Sequence, residues 1–438
     1  MLTIWAYSMV VLFMALIMTK RLSPLTALIL VPMGVGIAAG FGPSLGEMMI
    51  AGIGKLAPTG VMLMFAILYF AVMIDAGLFA PFVARLVAIV HGDPVKVVVG
   101  TAVLALLVSL DGDGSTTYMI TTAAMLPLYR ALHIRPLVLA CVTMLAGGVM
   151  NILPWGGPTA RAASALGVDV SDVFVPMLPA MAVGVVWVLF VSYRLGVAER
   201  VRLSQAAARN HADGVLEEEL ANPGYEEDTS HRRPDRLLVN ALLTGVLLAA
   251  LVMAVLPLPV LFMLGFAVAV LVNYPSIEQQ KALLSRHAGN VLAVVGLIFA
   301  AGVFTGILSG TKMVDAMAGS VINLVPPALG PYLAVVTGVL SVPFTFFISN
   351  DAFYFGVLPI LAKAGEAYGI TAAEMARASL IGQPVHLLSP LVPSTFLLVG
   401  LAGVDFDDHQ RFTLKWALLS ALVLLTVSLL VAVVPLVG

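Results

Sequence analysis

Two short polar clusters interrupt long apolar runs in this chain of 438 residues: Asp111-Gly112-Asp113-Gly114-Ser115-Thr116-Thr117 and Ser349-Asn350-Asp351. Carboxylates set among hydroxyl and amide side chains can cap helix ends, carry protons or give hard oxygen ligands to a cation. A second pair of clusters is built on prolines. One is Asn151-Ile152-Leu153-Pro154-Trp155-Gly156-Gly157-Pro158-Thr159-Ala160-Arg161; the other comprises Gln383-Pro384, His386, Ser389-Pro390 and Pro393-Ser394-Thr395. Proline removes a backbone donor and glycine weakens a helix, so each run breaks the helical ladder and frees amides and carbonyls for a ligand.

Helix N-termini exposed at such breaks carry partial positive charge and bind carboxylate or phosphate. The candidate binding set is therefore Gly114, Ser115, Thr116, Thr117, Asn151, Gly156, Gly157, Thr159, Arg161, Ser349, Asn350, Ser394 and Thr395. Arg161 reads either as a planar fork for a carboxylate or as an interfacial arginine with its head in water. An anion with several carboxylates suits these donors, yet Asp111, Asp113 and Asp351 would repel it in a low-dielectric site. Something positive must come with it, either protons on the aspartates or a divalent cation seeking oxygen ligands. Asp113 and Asp351 are the candidate metal contacts, and Asp111, which precedes a glycine turn, also reads as a helix cap. His386 reads as a proton carrier or as a packed polar residue in a kinked helix. Asp75 and Asp315 read as helix-end residues.

The elements that must position these residues follow from composition. The chain is 61% hydrophobic and 11% charged, with a mean hydropathy of +1.05, whereas a soluble surface needs about a quarter of its residues charged. A multi-spanning membrane protein is expected. A net charge of −2 gives no polybasic face for nucleic acid. The single cysteine, Cys141, allows neither a disulfide framework nor a cysteine-based metal site. Apolar stretches at 1–19, 24–40, 57–77, 137–160, 174–193, 237–257, 258–273, 289–309, 372–402 and 412–437 predict ten spans. The stretches 95–129 and 328–364 are each broken by an aspartate cluster and read as re-entrant helical hairpins whose polar tips meet inside the protein.

Placing Lys20-Arg21 in the cytoplasm puts 17 of the 22 lysines and arginines inside and leaves Lys55, Arg161, Lys312, Lys363 and Arg377 outside. Both termini are then external. Residues 194–236 hold 16 of the 46 charged residues and read as a flexible cytoplasmic linker, with an acidic run Glu217-Glu218-Glu219. The linker separates 1–193 from 237–438, and each part reads as three helices, a broken hairpin, an interrupted helix and a closing helix. Asp75 and Asp315 are 240 apart, as are Asp111 and Asp351, and Pro154 and Pro390 are 236 apart. The fold class is thus an all-α polytopic membrane protein of two inverted-topology repeats, about ten transmembrane helices plus two re-entrant helical hairpins, with interrupted helices at the site. That arrangement points to a secondary transporter. A channel would spread its polar residues along a pore, and no nucleophile-base pairing or catalytic metal set marks an enzyme.

The runs Met18-Thr19-Lys20-Arg21-Leu22, Leu110 to Met119, Pro154 to Ala163, Ser349-Asn350-Asp351 and Gly382-Gln383-Pro384 resemble the citrate-metal:proton symporter family, within the wider ion transporter superfamily. The resemblance covers nearly the whole chain outside the linker. It implies uptake of citrate as a complex with a divalent cation of the Mg or Ca type, coupled to protons, with no permanently bound cofactor. It also implies tip-to-tip hairpins, a homodimer in the plasma (inner) membrane and an elevator motion. Sodium-coupled relatives carry a neutral Ser-Asn-Thr at both tips. The aspartates here favour a cation-bearing cargo or protons over sodium. The alternative is another di- or tricarboxylate or hydroxy acid, coupled to protons or sodium.

Overall fold

A computed structural model describes residues 2–90, 92–213, 233–253, 255–324, 326 and 328–438, and these are helical with no strand. The first half gives α1 (Leu2–Met18), α2 (Pro24–Ala38), α3 (Leu45–Asp75), α4 (Ala80–Val90), α5 (Pro94–Val108), α6 (Gly114–Ala131), α7 (Pro136–Met150), α8 (Gly157–Leu166) and α9 (Val170–Asp213). The second gives α10 (Leu237–Val252), α11 (Leu258–Asn273), α12 (Ile277–Gly310), α13 (Met313–Leu324) and α14 (Leu333–Phe347). It continues with α15 (Leu358–Glu366), α16 (Ala372–Ser379), α17 (Gln383–His386), α18 (Pro393–Ala402) and α19 (Phe406–Leu430). Local chemistry sets many of the starts. Ser23 and Asp93 cap α2 and α5, each followed by proline at the first helical position. Thr371 and Glu374 form a capping box on α16.

Among the described residues seven helical segments are long and apolar enough to cross a bilayer; two of them, Pro94–Asp111 and Gly330–Phe347, reach that length only with the 3₁₀ turns at their ends and are first arms of the expected hairpins. α5 and α14 have 15 residues each. At about 1.5 Å per residue they reach about 22 Å, short of the ~30 Å hydrocarbon core. The chain then turns back, as α6 against α5 and as α15 against α14.

α3 and α12 hold equivalent places in the two halves, and their contact gives the relation between the halves. A side chain on Gly52 would strike the carbonyl of Gly302, and one on Gly60 would meet the ring of Phe299 at 3.0 Å. Residue numbers rise along α3 as they fall along α12, so equivalent helices run antiparallel. This is the inverted-topology relation, closed by glycines that let two backbones approach.

Three features depart from the sequence expectation. α4 and α13, of 11 and 12 residues, occupy the stretch before each hairpin and are too short to have registered as spans. α1, α2 and α11 appear as helices of 15 to 17 residues, shorter than a full span. α9 does not stop at 193 but continues to Asp213. Its extension is polar yet rich in Ala, Arg, Leu and Gln, all strong helix formers. Residues 194–213 are therefore helix, and the acidic run Glu217-Glu218-Glu219 lies outside the described residues.

The extension grips the base of the first hairpin. Buried Glu199 accepts from Arg135 at 2.6 Å and from Arg202 at 2.8 Å. Arg200 donates to both carboxylate oxygens of Asp93 at 2.7 Å, and that pair of hydrogen bonds holds Asp93 below the usual carboxylate range.

Candidate functional site

Each long helix that ends near the middle of the protein breaks at its prolines. α7 ends at Asn151, the chain turns through Pro154, and α8 starts at Gly157. Thr159 donates to the carbonyls of Asn151 at 3.2 Å and Ile152 at 2.9 Å, two acceptors freed by the break. In the second half Thr395 donates to the carbonyl of Leu387. Thr395 follows Thr159, and Leu387 follows Asn151, at the same offset that separates Pro390 from Pro154. The two breaks are thus closed by the same internal bond. They also touch: a side chain on Gly148 would lie 2.8 Å from Cα of Pro384, its equivalent at that offset. This crossing marks the pseudo-twofold axis. Beside it Asn151 donates to Gln383 at 3.4 Å, and Gln383 donates to the Tyr354 hydroxyl at 2.9 Å.

Both hairpin tips reach this crossing. At tip 1, α5 tightens into a 3₁₀ turn over Ser109–Asp111, and Gly112 follows at φ +80°. Only glycine suits that position, because the backbone is left-handed and the Trp155 ring lies 2.6 Å from any added Cβ. The Trp155 indole donates to the Leu110 carbonyl at 2.8 Å, fixing the tip to the first break. Asp113 then caps α6, accepting from the Ser115 amide at 3.0 Å and from the Thr116 amide and hydroxyl at 3.2 and 2.8 Å. Asp111 is buried and accepts from the Asp113 amide at 2.9 Å. Sequence reasoning offered a cap as the alternative role of Asp111; the cap of α6 is Asp113, because the turn at Gly112 leaves Asp111 in the 3₁₀ segment and Asp113 extended at the helix entrance.

At tip 2 the chain leaves α14 through extended Ile348 and winds through one π-helical segment, Ala352–Val357, before α15. π segments of this kind collect at functional sites. Ser349 accepts from the Ala352 amide at 3.1 Å. Asp351 accepts from Nε of Arg161 at 2.6 Å, and both side chains are mostly buried. The Arg161 guanidinium lies back over the start of α8, where Gly157 leaves room: an added Cβ would fall 2.7 Å from Nη1. Oδ1 of Asn350 is buried with no hydrogen-bond partner.

The sequence-predicted residues divide accordingly. Gly114 and Ser394 face each other across the halves, with Oγ of Ser394 3.6 Å from a Cβ position on Gly114. Arg161 meets Asp351, with Ser349 and Asn350 just before it on tip 2, Asn151 meets Gln383 at the crossing, and Ser115 and Thr116 stand on the first turn of α6 against Asp113. Thr159 and Thr395 spend their hydroxyl protons on the breaks, and Thr117 turns into its own hairpin toward Ser109 at 3.2 Å. Gly156 caps α8 through its backbone alone. His386 is buried, its Nδ1 2.7 Å from the Thr345 carbonyl, which ties α17 to the first arm of hairpin 2. Asp75 bonds Arg286 at 2.9 Å and His287 at 3.1 Å, joining α3 to α12 at their ends. Asp315 sits 3.5 Å from Lys363.

Among the described residues no three or more His, Cys, Asp and Glu side chains gather as a metal cage. Asp113 lies on tip 1 and Asp351 on tip 2. Tyr354 and Tyr118, whose buried hydroxyl beside Gly147 has no partner among the described residues, were missed by sequence reasoning. Polar atoms on aromatic residues inside apolar runs are the only signal they leave.

The charge distribution is uneven. Among the described residues, the hydrogen bonds to Asp111 and Asp113 come from tip 1 itself. The α8 and α18 N-termini carry no side-chain cap; proline removes one first-turn amide from each and the Thr395 amide bonds the Val392 carbonyl at 3.2 Å, which leaves the Gly157 and Ser394 amides as the donors at these ends.

Comparison with known proteins follows this geometry. Residues 13–382 match the family model described as citrate transporter. The chain is 57% identical over 434 residues to a citrate transporter of Bacillus subtilis (strain 168), covering 99% of this chain and 100% of that one. It is 52% identical over 435 residues to the Mg(2+)/citrate complex secondary transporter of the same organism, covering 99% of each. Among solved structures, the YdaH transporter of Alcanivorax borkumensis aligns with a TM-score of 0.61 at 16% identity, over 90% of this chain and 88% of that one. MtrF of Neisseria gonorrhoeae aligns with a TM-score of 0.59 at 13% identity, over 90% and 84%. These two similarities speak for the fold alone.

Proposed function

The chain belongs to the citrate transporter family, a family of membrane transporters and not enzymes, and from that premise we propose that it carries citrate complexed with a divalent cation, coupled to protons. The meeting of two hairpin tips and two helix breaks at one crossing is the observation that carries this reading. Citrate fits the uncapped N-termini of α8 and α18 and the Arg161 fork, each a donor for carboxylate. The cation fits tip 1, where Asp111 and Asp113 present two carboxylates with no partner of opposite charge among the described residues. Asp111 is buried, and a buried carboxylate without such a partner is costly; a cation or proton offsets the cost. The similarity to a Mg(2+)/citrate complex transporter supports the same pairing.

In this reading the metal is part of the cargo, and no resident cofactor is needed. The repeats comprise 1–193 and 237–438, with 194–236 on the cytoplasmic side and both termini outside, in the plasma membrane. The carrier works as a homodimer in which the hairpins and broken helices move together against α3 and α12. Purified protein in liposomes with an inward proton gradient tests the cargo. Labelled citrate accumulates when magnesium or calcium is present and ceases to accumulate when a strong chelator removes them. Equal accumulation under both conditions would refute the complex as cargo.

A further inference from the structure

Arg161 and Asp351 are far apart in sequence, on opposite halves of the molecule, and meet at the crossing of the breaks. A carboxylate of the cargo needs the same guanidinium that Asp351 already engages. Asp351 therefore takes the place of an anion and cancels the positive charge of Arg161. We propose that Asp351 sets the charge selectivity of the carrier, rejecting bare citrate in favour of its metal complex by neutralising Arg161. The proposal rests on the citrate-complex reading above and says which residue enforces it.

Charge counting supplies the mechanism. Bare citrate carries three negative charges and its complex with a divalent cation carries one. Asp113 and Asp351 stand against the single charge of Arg161, so the balance is net negative and penalises the bare form most. The other polar groups around the pair, Tyr354 on the π segment and His386 on α17, bound through Nδ1 to the Thr345 carbonyl, do not reverse this balance. The Asn350 amide adds a second sign of a ligand beside the pair. Its buried Oδ1 has no hydrogen-bond partner among the described residues. Removing the Asp351 charge releases a full positive charge at Arg161. An interaction that scales with cargo charge then favours the trianion over the monoanion.

Had Asp351 been a ligand of the cargo metal, its removal would weaken binding of the complex. The two roles predict opposite signs. Isothermal titration of the purified carrier with citrate in chelator, and with citrate in excess magnesium, separates them. Wild type is expected to bind the magnesium complex and to bind bare citrate weakly. Asp351→Asn is expected to bind bare citrate at least about ten-fold more tightly than wild type does, while affinity for the magnesium complex holds or rises. Arg161→Gln is expected to weaken both forms, and adding it to Asp351→Asn to cancel the gain. Loss of magnesium citrate binding in Asp351→Asn, or unchanged binding of both forms in Arg161→Gln, overturns the proposal. Wild type that binds citrate in neither form overturns the citrate-complex reading and this inference with it.

Discussion

Tip 1 and tip 2 hold equivalent places in the two halves and use an aspartate in opposite ways. Asp113 turns inward and commits both oxygens to the first turn of its own hairpin helix. Asp351 reaches out of its hairpin to an arginine of the other half. The two helix breaks match, in the Thr159 and Thr395 bonds and the Gly148 to Pro384 contact, but charge does not. At the offset that relates the two breaks, the counterpart of Arg161 is Leu397, so α18 brings no cation to tip 1. A repeat can thus give one fold to both halves while side chains divide the work: tip 1 presents negative charge and tip 2 a balanced pair.

The first way to break this contrast is at Asp113. Asparagine caps a helix about as well as aspartate, so Asp113→Asn should leave thermal unfolding of the purified carrier near that of wild type. Loss of the charge should still lower citrate uptake at least about ten-fold, since the cation of the cargo loses one of its two carboxylates. Asp113→Ala should show the same transport loss and cost about 1 kcal/mol in stability besides. Full uptake in the asparagine variant would reduce Asp113 to a cap and remove the functional difference between the tips.

A smaller effect sharpens the comparison at the hairpin bases. Hairpin 2 closes on local charges, Lys363 with Glu366 at 2.8 Å and Asp315 at 3.5 Å. Hairpin 1 closes on α9 through Arg200 and Asp93. Because Arg200 lowers the Asp93 pKa in the folded protein, the linked stability is present above the unfolded value of about 3.9 and is lost as pH falls through the lower folded one. Asp93→Asn should therefore unfold at a slightly lower temperature than wild type at neutral pH, and the gap should close in acid. A gap of constant size at every pH would mean that Asp93 acts through the cap alone.

The tips and the breaks were legible in the sequence because Asp111, Asp113, Asp351, Pro154 and Pro390 stand out against apolar runs. Their repetition at two nearly equal offsets also foretold the two halves. What was illegible depended on distance or on a dihedral. No spacing rule joins Arg161 to Asp351 in the other half of the chain, nor Trp155 to Leu110. The exchange of the cap from Asp111 to Asp113 turned on the left-handed Gly112, whose glycine was noted but whose turn could have placed either carboxylate at the helix end. α4 and α13 escaped because each is too short for a span. The helix through 194–213 escaped because charge was read as flexibility, although its residues favour helix.

The central claim is that both tips, for all their difference, close on one site. It is tested most directly by placing single cysteines, as Ser115→Cys and Asn350→Cys, in a background where Cys141 is replaced by alanine, and timing their alkylation. Magnesium citrate should slow modification at both positions, and chelator should abolish that protection. Protection at one tip alone, or at neither while uptake remains intact, would contradict a shared site.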